Sequence, residues 1–453
     1  APYTATAVAR LQSAGGHIVG VTNMDEFGMG AATAFSAHGA CMNPWGAGLT
    51  PGGSSGGSAV AVATGAVAAA LGSDTGGSVR QPASFCGVVG FKPSYGAISR
   101  WGLIAYASSL DTVGILARRV EDAALVFDLV RGSDGCDDTA LRTPPPSPDA
   151  VVAARLRAAA PGSLPLAGLR DGMPAEYSVA AVPPAVGSAG QDGAGAAAGP
   201  GAPAFAVSLP HTRHALAAYY VIATAEAASN LARYDGVRYG SRVADGTAAA
   251  ATTGTTGSAP AAGLHAEYAA TRSAHLGLEV QRRILLGNHV LSVGSRARYY
   301  DAAVRMRGAI AADFQAAFRP APPSSHAAAT LAASPLNTLL ATASAPGGGA
   351  ADTGVDVLLT PTSPTLPWPS AATAAQHPVE MYMNDIMTVP ASLARLPAIS
   401  VPTAVARPTP TAAPVPVGLQ LIGRYADDAT LLRVAAALEA AAAFPALPPP
   451  SDH

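Results

Sequence analysis

The stretch Gly52 to Arg80, GGSSGGSAVAVATGAVAAALGSDTGGSVR, decides how the rest of the chain is read. Two glycine-serine loops, 52–58 and 74–78, bracket a smooth apolar run from Ala59 to Leu71 whose length predicts a buried helix of about three turns. Glycine lets backbone N–H groups approach a bound oxygen closely and the interleaved serines supply hydroxyls, so two such loops meeting at one place can form a reaction site. One such loop alone reads more readily as a flexible turn, and it is the pair flanking a core helix that points to chemistry.

Composition narrows the setting. The 453 residues are 49% hydrophobic and 12% charged, enough for a large core, and the net charge of −2 comes without a Lys/Arg block that would grip nucleic acid or an anionic membrane. Cys41, Cys86 and Cys136 are too few and scattered for a disulfide framework or a metal site, which points to a reducing compartment. Lys92 is the one lysine among 27 basic residues, a bias typical of GC-rich coding.

Outward from the central stretch, helical periodicity is expected over Thr4–Ala14, Val120–Val130, Ala215–Ala232, Ala302–Phe318 and Asp428–Ala441. Strands are expected at His17–Val21 (buried), Phe85–Phe91, Val355–Thr360, Ala398–Pro402 and Val417–Ile422. Asn43–Gly46, Lys92–Gly96 and Ser108–Gly114 read as turns or loops, and Thr143–Pro148 as a linker. Ala181–Ala204, Ala244–Gly263 and Pro320–Gly354 are low-complexity segments, expected as insertions or mobile loops because they cannot offset ordering entropy by burial.

Several chemistries lack support. The glycine loop has no Lys-Ser/Thr pair to cap a phosphate. Its overlapping matches to the nucleophile-elbow pattern come without a downstream acid and histidine. His211 and His214 have no further metal ligand nearby. Asp74, Arg80 and Asp111 read either as catalytic groups or as buried partners of backbone groups.

GGSSGGS at 52–58 followed by GSDTGGSVRQPASFCGVVGFKPSYG at 72–96 resembles the amidase signature family, with the two serines Ser54 and Ser78 at the family's spacing of 24 residues. TNMDEFGMG, NPWG, SSLDTVG, SNLARYDGVRYG, RRILLGNHVLS, YYDAAVRMR, DVLLTPTSPTLPW, YMNDIMTVPASLARLPAISVP and PVGLQLIG extend the likeness over most of the chain. The resemblance implies one amidase-signature α/β domain over residues 1–453, with a mixed, twisted central sheet covered by helices on both faces. It implies a Ser-cisSer-Lys mechanism: Ser78 as nucleophile, Ser54 on a cis peptide as proton relay, and the N–H groups of Thr75, Gly76, Gly77 and Ser78 as oxyanion hole. Arg307 would hold the α-carboxylate of glutamine and Asp385 its α-amino group.

Within the family, the likeness is to subunits that hydrolyse glutamine to feed ammonia to a tRNA-dependent amidotransferase. That implies B and C partner subunits, Glu-tRNA(Gln) reached through the complex, and ATP and Mg used by the complex with no cofactor or metal bound by this chain. A stand-alone amidase and a non-catalytic scaffold are the alternatives. The expected location is a chloroplast stroma or a mitochondrion, with a bacterial cytoplasm as alternative. Three departures stand out. The family's lysine lies on a strand N-terminal to every stretch quoted, and Lys92, which follows the nucleophile in a shared turn, does not replace it; the chain reads as N-terminally truncated or as an inactive relative. Ala34 and Phe35 stand where the family has polar residues, and Ser241 where it has a tyrosine.

Overall fold

A computed structural model describes residues 3–148, 169–177, 205–243, 264–320, 354–373, 376–407 and 413–445. The low-complexity stretches lie outside these residues, save for Pro320 and Gly354 at their edges. Eight strands form one sheet: β1 Ala69–Asp74, β2 Val89–Lys92, β3 Thr112–Ala117, β4 Asp171–Pro174, β5 Phe205–Val207, β6 Val357–Pro361, β7 Ala398–Ala406 and β8 Val415–Gly423. Their spatial order is β1-β3-β2-β7-β8-β6-β4-β5. β4 runs parallel to β5 and β6, while the remaining pairs are antiparallel, so the sheet is mixed.

The helices are α1 Thr6–Ser13, α2 Gly56–Ala63, α3 Arg80–Cys86, α4 Val120–Val130, α5 Ala215–Leu231, α6 Leu264–His275, α7 Leu278–Leu291, α8 Tyr300–Ala317, α9 Ser370–Thr373, α10 Pro378–Met383, α11 Val389–Leu393 and α12 Asp428–Ala442. Strand side chains alternate between faces, and the two cores follow that alternation. Val357, Leu359, Ile399, Val401, Leu419 and Leu421 pack with α4 and α12 on one face. Leu358, Ala398 and Ile422 pack with α5, α8 and α11 on the other. No described helix is long and apolar enough to cross a membrane.

Helices α4, α5, α8 and α12 and strands β6, β7 and β8 form where periodicity places them. α4 begins at Val120 with Glu121 and Asp122 in its first turn, where the helix dipole favours acids. Three expectations are corrected. The run Ala59–Leu71 is not one helix: α2 starts earlier, at Gly56, and ends at Ala63, Gly65 turns the chain at φ +76°, and Ala69 onward becomes β1 by pairing with β3. An Ala/Val run carries no periodic signal to separate helix from strand. Phe85–Phe91 divides between the end of α3 and β2, with Gly87 at φ +68° closing the helix. Residues 17–21 are neither a strand nor buried, with Val19 77% and Val21 101% exposed, and no described strand pairs with them.

Candidate active site

The loop that links β1 to α3, residues 75–79, is held from below by a buried ion pair. Arg80 donates from Nε to Asp74 Oδ2 (3.0 Å) and from Nη2 to Asp74 Oδ1 (2.8 Å), both side chains fully buried. The same guanidinium donates to Gly76 O (2.7 Å), Ser392 Oγ (2.8 Å), Thr388 O (3.0 Å) and Gln420 Oε1 (2.6 Å). Burial raises the Asp74 carboxyl, but Arg80, as charge and as donor, together with Lys92 and the Val79 N–H, holds it below its ordinary value. Asp74 and Arg80 are therefore partners of backbone groups, and their bonds fix the path of the loop. Asp111 has the same character: it accepts from Thr75 Oγ1 (2.7 Å) and from the N–H groups of Tyr106 and Ala107, and burial pushes its carboxyl up to about 6.

With its carbonyl side so engaged, the loop turns donors the other way. The N–H groups of Gly76, Gly77 and Ser78 have no hydrogen-bond partner among the described residues, although all three residues are buried. Buried backbone donors are almost always paired, so three successive free ones form a receptor for a negative oxygen. Ser78 Oγ is likewise unpaired among the described residues. A Cβ on Gly76 would stand 2.9 Å from the Tyr219 ring and hydroxyl, and one on Gly77 would enter the Thr388 side chain. Gly77→Ala is expected to displace the loop and cost about 1–3 kcal/mol of stability in urea unfolding; a variant within about 0.5 kcal/mol of the parent would show that the packing can yield.

The second loop meets the first. Ser55 N donates to Ser78 O (3.1 Å), and Asp25 N to Ser54 O (3.1 Å). The Gly53–Ser54 peptide is cis. Ser54 Oγ is fully buried with no partner among the described residues, so it bonds neither to Ser78 nor to a base there. Residues 25–35 roof it, folded around Asp25, whose carboxylate accepts from the N–H groups of Ala32, Thr33, Ala34 and Phe35. Ala34 and Phe35 thus serve through their backbone. Burial nevertheless lifts Asp25 to about 6. Lys92 lies elsewhere, donating from Nζ to Leu396 O (2.6 Å) and Pro93 O (3.1 Å).

Opposite the loop stands a charged pair that the sequence only half reveals. Asp385 is present as expected, buried, with Oδ2 accepting from Tyr220 OH (3.1 Å) and Oδ1 unpaired among the described residues. Its backbone O accepts from Thr388 Oγ1, the hydroxyl beneath Gly77. Burial pushes its carboxyl up to about 6. Arg307, the expected counterpart, makes no contact with Asp385 among the described residues, and three of its five N–H groups are engaged elsewhere. Its Nε is spent on Leu393 O (2.8 Å), Nη1 on Ser109 Oγ (2.7 Å) and Nη2 on Ser109 O (2.9 Å), a brace between loop 108–111 and the end of α11. Burial and the neighbouring Arg395 draw its pKa down to about 10.

The cation that faces Asp385 is Arg283. Its guanidinium carbon lies 5.7, 5.3 and 5.2 Å from the ring centroids of Tyr106, Tyr220 and Tyr382, and the last two rings stack at 4.1 Å. Nε donates to Glu279 Oε1 (2.8 Å) and Nη1 to Tyr106 OH (2.7 Å), while Nη2 has no hydrogen-bond partner among the described residues. Burial opposes its charge, but Tyr106, Tyr220, Glu279 and Tyr382 more than offset that and push its pKa up. No local signal singles it out: Glu279 stands four residues before it on α7, but Arg282 pairs with Glu279 as well. Contacts run in a closed ring: Thr75, Asp111, Tyr106, Arg283, Tyr220, Asp385, Thr388 and back to the loop at Gly77. Ser241 is exposed, outside this ring.

Beside the loops, a cavity of about 590 Å³ is lined by Phe27, Gly28, Ser55, Ser73, Thr75 and Tyr106 among others. Among the described residues no cluster of three His, Cys, Asp or Glu could hold a metal.

The model of the family described as Amidase matches residues 1–432. The chain is 42% identical over 452 residues to the A subunit of the glutamyl-tRNA(Gln) amidotransferase of Gluconobacter oxydans, covering 98% of this chain and 77% of that one. It is 43% identical over 442 residues to the corresponding subunit of a Synechococcus species, covering 97% and 77%. Among solved structures, the A subunit of the glutamyl-tRNA(Gln) amidotransferase of Thermotoga maritima superimposes with a TM-score of 0.67 at 33% identity, over 96% of this chain and 76% of that one. A 6-aminohexanoate cyclic dimer hydrolase shares the fold, with a TM-score of 0.70 at 24% identity over 98% and 78%.

Proposed function

Because the chain belongs to the amidase family, we propose that it is the glutamine-hydrolysing subunit of a glutamyl-tRNA(Gln) amidotransferase. One observation carries the substrate: Arg283 and Asp385, both buried residues, each keep one polar atom, Nη2 and Oδ1, that is unpaired among the described residues and not sealed from the site, in the ring that closes on the Ser78 loop. A free amino acid carries a carboxylate and an ammonium on one carbon, and such a pair of opposite charges holds both. A simple acyl amide has no use for it.

Ser78 Oγ attacks the side-chain amide carbon of glutamine. The developing oxyanion is received by the N–H groups of Gly76, Gly77 and Ser78, with Thr75 beside them. The Ser78 proton passes to Ser54 Oγ, which hands its own to a base. The amide nitrogen gains a proton and leaves as ammonia, and water then cleaves the acyl-serine ester to glutamate. In the family that base is a lysine amine; among the described residues no base bonds to the buried Ser54 hydroxyl, and Lys92, bound to two carbonyls, does not serve. Ammonia goes to a B subunit that uses ATP and Mg to activate Glu-tRNA(Gln), with a C subunit completing the assembly and no cofactor held by this chain. The arginine bias together with the low-complexity segments supports a nuclear gene of GC-rich coding and with it a chloroplast or mitochondrial setting, with a bacterial cytoplasm as the alternative.

The test compares glutamine with butyramide, an amide of similar chain that lacks the amino-acid head, as substrates of the full protein with its partners. Equal kcat/KM for the two would sink the glutaminase reading in favour of a general amidase. A pH dependence follows as well. Asp385 must be ionised to hold the substrate ammonium, and its carboxyl titrates near 6. Glutamine KM is expected to rise about tenfold for each unit that pH falls below 6, and Asp385→Asn to raise KM at all pH and abolish that limb. A limb unchanged in the variant would assign it to another group.

A further inference from the structure

A chain that uses arginine for every other basic position keeps one lysine, and places it where its charge is least welcome. Lys92, on β2, is 1% exposed. Its Nζ donates to Leu396 O and Pro93 O and makes no ion pair among the described residues. A neutral amine has two N–H donors and an ammonium three, so the two carbonyls satisfy the neutral form and leave the charged form one donor short in a buried place. The surrounding charges do not reverse this. Arg80 on α3 opposes protonation, Asp74 at the end of β1 and Asp428 at the start of α12 favour it, and burial outweighs them all, drawing the pKa to about 7.

One of those carbonyls leads to the reacting loop. Leu396 ends a short segment that begins in α11 and is pinned at successive points: Ser392 Oγ donates to Gly76 O (3.1 Å), Leu393 O accepts from Arg307, and Arg395 O accepts from Tyr95 N. Lys92 fastens the far end. Gly76 O is the rear side of the loop whose N–H groups face the site, so its place sets theirs. We propose that Lys92 is a positioning residue, a buried amine strut that acts through residues 392–396 on Gly76 and so on the donors beside Ser78. The inference rests on the reading of the Ser78 loop as the reacting loop.

The test uses the full protein with its partners and the variant Lys92→Met. The expected kinetic result is a kcat about tenfold lower with KM for glutamine within about twofold, since the Arg283 and Asp385 side is untouched. The second readout is stability against pH. A lysine buried neutral with a depressed pKa holds fewer protons than the unfolded chain above pH 7, so the thermal midpoint of the parent is expected to rise from about pH 7 to 8.5, and that rise to vanish in Lys92→Met. An equal rise in both proteins, or an unchanged kcat, would overturn the proposal. Should Lys92→Met not fold, Ser392→Ala cuts the same link at its other end: a lowered kcat at constant KM is expected, and an unchanged kcat overturns the strut. Failure of the loop reading would show differently, as ammonia release that survives Ser78→Ala, and would leave the stability readout of Lys92 intact.

Discussion

In the full protein assembled with its partners, Ser78→Ala is expected to lower ammonia release from glutamine by on the order of 10⁴-fold or more, with glutamine still bound. Removing a serine nucleophile takes away the covalent route entirely, and what remains is the contribution of the oxyanion receptor and of substrate binding. Here those parts survive the change. The free N–H groups of Gly76 and Gly77 belong to a backbone held by Arg80 and Ser392, and the Arg283–Asp385 pair approaches from α7 and from the turn after α10. The substitution deletes one hydroxyl that is unpaired among the described residues, so stability should move by less than about 1 kcal/mol. Ammonia release and urea unfolding measured on the same preparations check both halves. Release at the parent rate would remove Ser78 from the mechanism.

The second large effect is on folding. Arg80→Met is expected to cost about 3–5 kcal/mol, because it strands a wholly buried Asp74 carboxylate and withdraws donors from Gly76 O, Thr388 O and Gln420 Oε1. The sign of its pH dependence is fixed by the same pair. With Arg80 present the Asp74 carboxyl is held below its ordinary value, so its contribution is full above about pH 4 and is lost only as pH falls through that lowered value. Without Arg80, burial, the largest influence, is opposed only by Lys92 and the Val79 N–H and raises the carboxyl, so the native variant takes up a proton that the unfolded chain does not. The variant's deficit should therefore be smaller at about pH 5 than at about pH 7.5. Urea denaturation at the two pH values decides the matter: a deficit that is equal at both, or below about 1 kcal/mol, would mean that the pair is dispensable.

How much of this is legible in the sequence depends on whether a residue's role is local. α4 and α12 are read correctly because apolar residues recur at helical spacing and acids mark their first turns. The meeting of the two glycine-serine loops is legible in their repeated glycine and serine, whereas the roles of Ser54 and Ser78 rest on the family resemblance. The split of Ala59–Leu71 into helix and strand is not, since alanine and valine suit both and pairing with β3 decides. The strand expected at 17–21 fails for the converse reason: local preference without a neighbour makes no ladder. Arg307 and Arg283 show the limit most clearly. Among so many arginines nothing local tells a brace from a ligand-binding cation. The difference is the far end of each guanidinium: Arg307 ends on Ser109 and Leu393, Arg283 among three tyrosines with one nitrogen to spare.

The closed ring from Thr75 through Arg283 and Asp385 back to Gly77 bears on how variants combine. Members of one connected polar network do not lose their contributions independently, because the first cut already releases the neighbours that the second would have disturbed. Arg283 and Asp385 share Tyr220 as a go-between, so the double variant should fall short of the sum of the two single losses. A coupling energy read from that cycle measures the ring, whereas either single substitution taken alone overstates what one residue contributes to holding glutamine.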